Sequence, residues 1–117
     1  MSARPWPLEL VFQRQARTLL VRFDDGAHFE IPFELLRVDS PSAEERGHGP
    51  QARVIGGKRN VGITGAEPVG RYGVRIIFDD GHDSGLFSWD YLRELGRDKE
   101  TRMAAYAQRL KAAGLER

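Results

Sequence analysis

Two stretches of the chain carry the same alternation of apolar and polar positions. Leu19, Val21 and Phe23 alternate with Leu20 and Arg22, which predicts a strand with one buried face. Val74, Ile76 and Phe78 repeat that pattern. Both runs lead into Phe-Asp-Asp-Gly, at 23–26 and at 78–81. This is hairpin chemistry: Gly accepts the positive φ of a tight turn and Asp tolerates the position beside it. After the first turn come His28-Phe29-Glu30-Ile31 and then Pro32 to Leu36; after the second come His82 to Leu86 and a segment ending Tyr91-Leu92-Arg93. Each unit therefore predicts a strand, a turn, a second strand and a short helix. Shared descent and convergence on common turn residues explain the likeness equally well.

Other elements follow from local signals. Further strands are expected over Leu8 to Phe12 and over Val61 to Val69. Pro32 suits the first turn of the first short helix, where its missing N–H has no partner to lose. Ser88 is expected to cap the second helix, with Asp90 in its first turn and Gly96 just past its end. A third helix is predicted from Lys99 to Ala113, with Met103, Tyr106, Ala107 and Leu110 as its apolar stripe. Asp98 is expected to cap its start, Glu100 and Lys111 to complement its dipole, and Gly114 to end it. The expected architecture is α+β: an antiparallel sheet built from two similar β-hairpin–helix units, with a C-terminal amphipathic helix. Residues 1–117 read as one domain, with its core in 8–96.

Residues 39–60 show no period and hold four glycines. A loop of that length in a small domain is usually functional or disordered. Ser40-Pro41 can begin one helical turn there, with Ser40 as its cap, and Gly47-His48-Gly49-Pro50 would stop it.

Composition narrows the chemistry. Eighteen basic and seventeen acidic side chains nearly cancel, so no strong field draws the chain to nucleic acid or to a membrane surface. The absence of cysteine excludes disulfides, thiol catalysis and cluster ligation by this chain, and fits a cytoplasmic location. No run approaches the roughly 20 apolar residues that span a bilayer, and the first seven residues lack a signal-peptide core.

Of the three histidines, His28 has a carboxylate two residues on, at Glu30; with His82 these imitate a two-His, one-carboxylate iron site. Strand alternation points His28 and His82 to opposite faces, so surface histidines are the plainer expectation. A denser set is Asp39, Ser40, Ser42, Glu44, Glu45 and His48 with His82, Asp83 and Ser84, all oxygen or imidazole donors. Folded together they would hold a hard or borderline cation, though the same residues are the ordinary ones of caps and turns. Ser84 and Ser88 near His82 have no assignable base or oxyanion hole. Gly47, Gly49, Gly56 and Gly57 with Lys58-Arg59 lack the spacing of a phosphate loop. Trp89 and Tyr91 beside Arg93 offer a stacking surface, or else core packing.

Two longer stretches resemble signatures of a known family. Leu36-Arg37-Val38-Asp39-Ser40-Pro41-Ser42-Ala43-Glu44 with Gly47-His48-Gly49 is one, and Gly81-His82-Asp83-Ser84-Gly85-Leu86-Phe87-Ser88-Trp89-Asp90-Tyr91-Leu92 is the other. They resemble a bacterial family of small stand-alone domains of unknown function, named for its similarity to the N-terminal domain of gamma-butyrobetaine hydroxylase. The resemblance covers roughly residues 8–96. Similar domains are also joined to P-loop ATPases that carry iron–sulfur clusters. In the hydroxylases this domain is a zinc module preceding the catalytic domain, with a Cys-x-Cys-x-x-Cys group and a later His. The resemblance sets Ser40, Ser42 and Glu45 at the three Cys positions and His82 at the His. Serine hydroxyls are poor zinc ligands beside thiolates, so it implies no more than weak Zn or Fe binding at His82 and Glu45. The catalytic iron belongs to the other domain of the hydroxylases, which this sequence does not contain.

The sequence thus leads to a non-catalytic binding or adaptor domain whose partner is another protein. The family resemblance adds a link to iron or iron–sulfur metabolism. The expected binding surface is Ser40, Pro41, Ser42, Glu44, Gly47, His48 and Gly49 together with His82, Asp83, Ser84, Trp89 and Tyr91. A metal-binding domain is the alternative, and a small enzyme the third reading.

Overall fold

The computed structural model describes residues 5–41, 55–81 and 83–117, and for residues 83–85 the backbone alone. Strands β1 (Pro7–Gln13), β2 (Thr18–Phe23) and β3 (His28–Pro32) form an antiparallel meander, and helix α1 (Phe33–Val38) follows directly. Strands β4 (Ile63–Val69), β5 (Gly73–Phe78) and β6 (Asp83–Ser88) form a second meander followed by α2 (Trp89–Arg97). Helix α3 (Lys99–Ala113) completes an α+β fold. Each unit thus has three strands rather than a lone hairpin, and the two units keep separate three-stranded sheets.

The likeness of the units extends to individual bonds. Gly26 and Gly81 both turn at φ +89°, and each donates its N–H to the phenylalanine three residues back. Asp24 N–H donates to the Trp6 carbonyl and Asp79 N–H to that of Gly62, both at 2.9 Å. β1 breaks register between Pro7 and Glu9 opposite β2, and β4 does so between Ile63 and Gly65 opposite β5. Phe33 N–H donates to the Arg17 carbonyl, and Trp89 N–H to that of Tyr72. These pairs match Phe33 with Trp89, Arg17 with Tyr72, and Trp6 with Gly62. The units differ in β6, where register shifts between Arg75 and Ile77.

One core serves both units. Leu19, Val21, Phe23 and Ile31 join Val74, Ile76, Phe78 and Phe87, with Phe33, Leu35 and Leu36 of α1 and Leu92 and Leu95 of α2. Each of these is almost fully withdrawn from water, which is worth about 1.5–3 kcal/mol per large apolar side chain. The helices cross between units. Gly96 of α2 lies against Phe29 of β3, where an added Cβ would sit 2.4 Å from the Phe29 Cβ.

Several local expectations change in this setting. Gly96 lies within α2, not beyond it, because Phe29 leaves no room for a side chain. Asp98 makes no side-chain cap to α3; its carboxylate accepts from Arg97 instead. Ala107 is exposed, whereas Tyr106 and Leu110 are buried and Met103 packs on the core. Pro32 stands at the N-cap of α1 rather than in its first turn. Ser88 caps α2 as expected, its hydroxyl accepting from Tyr91 N–H at 3.0 Å. Gly114 closes α3 in the left-handed conformation.

Candidate functional site

The site is built where the two units touch. The short helix of each unit sends the arginine of its second turn to the turn of the other unit. Arg93 of α2 grips both carboxylate oxygens of Asp25, at 3.3 and 2.7 Å, while its guanidinium lies over the rings of Phe23 and Phe29. These hydrogen bonds hold the Asp25 carboxyl below the usual carboxylate range. Arg37 of α1 meets Asp80 at 2.8 Å, and Lys58 joins the same Asp80 oxygen at 2.6 Å. The second contact is the more enclosed, and Arg37 Nη1 is buried there without a hydrogen-bond partner.

Beyond Arg37, the chain leaving α1 is held by α2 and α3. Tyr91 donates its hydroxyl to the Asp39 carbonyl. Arg102 spans Asp39 at 3.0 Å and Glu94 at 2.7 Å, lies over the Tyr91 ring, and has Arg109 beside it at 3.9 Å from Asp39. The Asp39 carboxylate is thereby engaged by two guanidiniums, which leaves it a poor metal ligand. The end of α1, the Asp79–Gly81 turn and the first turn of α2 thus occupy one side of the molecule.

The residues singled out from sequence divide accordingly. Ser40 is fully buried, so it forms the floor of this side rather than a point of contact. Pro41 is half-buried and helical. Ser42, Glu44, Glu45, Gly47, His48, Gly49 and His82 lie outside the described residues, as do the side chains of Asp83 and Ser84. The proposed donor sets therefore lie largely outside them too. Among the described residues, no group of three His, Cys, Asp or Glu is placed to hold a metal ion. His28 is exposed on β3.

Trp89, Tyr91 and Arg93 do not share a stacking surface. Tyr91 packs beside Phe87 and reaches Asp39, Arg93 serves the first unit's turn, and Trp89 faces the N-terminal segment. There Trp6 meets Trp89 edge to face at 6.1 Å, and the Trp89 indole N–H donates to the Arg71 carbonyl at 2.9 Å. Sequence reasoning passed over Trp6. Its available signal was that Trp6 and Trp89 are the chain's two tryptophans.

The comparisons with known proteins agree with the fold. The family described as gamma-butyrobetaine hydroxylase-like, N-terminal, matches residues 10–93. The chain belongs to that family. Two NMR solution structures, each 43% identical, cover 98% and 100% of the chain with TM-scores of 0.83 and 0.84; the match spans 91% and 88% of those proteins. A crystal structure of a protein of unknown function in the DUF971 family, from Acidithiobacillus ferrooxidans, is 37% identical with a TM-score of 0.66. It covers 77% of this chain and 91% of its own. No curated protein matches. No helix among the described residues is long and apolar enough to cross a membrane.

Proposed function

We propose that this gamma-butyrobetaine hydroxylase-like domain is a non-catalytic adaptor that docks another protein through the side where the end of α1, the second unit's turn and the start of α2 meet. The supporting observation is the contact of Arg37 with Asp80 across two elements 43 residues apart, reinforced by Tyr91 on Asp39. These contacts fix both anchor points of the polar, glycine-containing sequence that follows Pro41, and of the segment that begins at His82. Recognition residues are commonly carried on connecting segments positioned by a folded scaffold. Arg37, Lys58 and Asp80, and Arg102 with Asp39, are held in ion pairs at this side, which supports binding over catalysis. Placement of the partner in iron or iron–sulfur metabolism rests on the family resemblance alone.

The test is recovery of a partner from a lysate of the native host. His48→Ala combined with His82→Ala should leave the melting temperature unchanged and abolish recovery of a protein that wild type retains. Recovery of the same protein at the same level by the double variant contradicts the reading.

A further inference from the structure

The two units treat one matching carboxylate differently. The hydrogen bonds that match Phe33 with Trp89 also match Glu34 of α1 with Asp90 of α2. Asp90 is exposed, whereas Glu34 is only 4% exposed. The repeated architecture therefore does not itself require a buried carboxylate here. The group that meets Glu34 comes from the segment after α3. Arg117 brings Nη2 to 2.7 Å from Glu34 Oε1 and Nε to 3.1 Å from both carboxylate oxygens. The Glu34 carboxylate meets no other donor among the described residues. A charge so withdrawn from water is costly unless it is paired.

Residues 115–117 reach Glu34 by turning back onto the domain. Gly114 adopts φ +71°, and Leu115 N–H donates to the Leu110 carbonyl at 2.9 Å. The Glu116 carbonyl then accepts from Gly57 N–H at 2.8 Å. Gly56 lies so close that an added Cβ would sit 2.6 Å from that oxygen. Leu115 stays 44% exposed and the Arg117 side chain 46%, so apolar burial contributes little to holding this segment. Its polar seats on Gly57 and Glu34 hold it instead.

Both seats lead to one oxygen. Gly57 precedes Lys58, and Glu34 lies one turn before Arg37 on α1. Lys58 Nζ and Arg37 Nε meet the same Asp80 Oδ2, at 2.6 and 2.8 Å. Residues 115–117 thus hold the two segments whose cations clasp the second unit's turn.

We infer that Glu34 is a guanidinium-binding site filled in cis by Arg117, and that its occupancy sets the geometry of the docking side at Asp80. The ligand class follows from the seat. A buried carboxylate is matched by a planar fork of donors, which a compact ammonium does not reproduce. The effect on docking rests on the adaptor reading above; the guanidinium site does not.

Arg117→Ala vacates the seat. In the isotope-labelled variant the Gly57 amide should exchange with solvent about tenfold faster as the segment that holds it opens. The amide signals of Asp79–Gly81 should shift as well. Ethylguanidinium chloride, below denaturing concentrations, should restore the wild-type exchange rate and shifts saturably and raise the melting temperature, as a native-state ligand does. Ethylammonium chloride at equal ionic strength should not. Glu34→Gln combined with Arg117→Ala removes the buried charge together with its partner, so the coupling stays measurable even where the single variant does not fold. This double variant should show the same opened Gly57 and shifted turn, with no response to ethylguanidinium. Absence of rescue in Arg117→Ala, or equal rescue by ethylammonium, overturns the guanidinium site. Unshifted Asp79–Gly81 amides beside an opened Gly57 overturn its coupling to the docking side and leave the docking reading standing. Failure of that reading shows instead as unchanged partner recovery by the histidine double variant, with guanidinium rescue intact.

Discussion

Arg37 of the first unit's helix reaches Asp80 in the second unit's turn, and its position is repeated by Arg93, which reaches Asp25 in the first unit's turn. The shared Phe-Asp-Asp-Gly therefore does two jobs. Its glycine makes the turn, and its second aspartate receives the other unit's helix. The exchange is reciprocal, as in a symmetric interface between two copies, and it locks the units into one body.

The two exchanged pairs should differ in strength. Asp80→Asn leaves the enclosed Arg37 guanidinium without its counter-charge. The expected loss is about 2–3 kcal/mol, somewhat below that for breaking a fully buried pair. Asp25→Asn, at the more exposed pair, should cost clearly less. Urea midpoints of the two variants, compared at constant slope, check the order.

Gly96→Ala should destabilise, although alanine is the better helix former by up to about 1 kcal/mol. The new methyl meets Phe29 at a distance real side chains do not tolerate, and overpacking of this kind costs about 1–3 kcal/mol. Adding Phe29→Gly removes the Cβ and ring that the new methyl meets, so the double variant should be more stable than the sum of the single changes predicts. Additive losses would show that the glycine is needed for some other reason.

These contacts mark the boundary of what was legible in the sequence. Leu19, Val21 and Phe23, repeated as Val74, Ile76 and Phe78, revealed the buried faces because strand alternation is a local property. Ser88 and Gly114 were readable as helix ends for the same reason. Gly96 reads locally as a helix stop, and only the approach of Phe29 from 67 residues away shows it as a packing glycine. Asp98 has the chemistry of a cap but spends its carboxylate on Arg97. The duplicated aspartates were visible as turn residues, whereas their exchange with Arg37 and Arg93 depends on how the units dock, which no local pattern encodes. Trp6 lay in a segment with no periodic signal, so only its being one of the chain's two tryptophans pointed to Trp89.

Tyr106 gives the fold an alkaline limit. Burial pushes its hydroxyl above the usual tyrosine range, with the charge of Glu34 adding to the effect, and it donates to the Ile55 carbonyl. A phenol raised in the folded state contributes stability that is fully present below the unfolded value of about 10. That stability is lost as pH rises through the folded value. Tyr106→Phe should lower stability by about 1 kcal/mol at neutral pH through the lost hydrogen bond. It should also flatten the decline above pH of about 10 that wild type shows in denaturant titrations. An unchanged alkaline decline would place its cause elsewhere.

The metal alternative makes an opposite claim about His82 and Glu45. If the domain is an adaptor, purified protein melts at the same temperature with and without Zn²⁺, Fe²⁺ and Mn²⁺. A native-state ligand must raise the midpoint, and further as its free concentration rises above the dissociation constant. A rise that His82→Ala abolishes would replace the adaptor reading with a metal site.

The most direct measurement maps backbone amide shifts of the labelled domain as the partner recovered from the native host is added. The account predicts perturbations concentrated at Arg37–Pro41, Asp79–Gly81 and Ser88–Tyr91, with the β1 strand unaffected. Perturbations centred on β1 or on the outer face of α3, with those three segments silent, would contradict it.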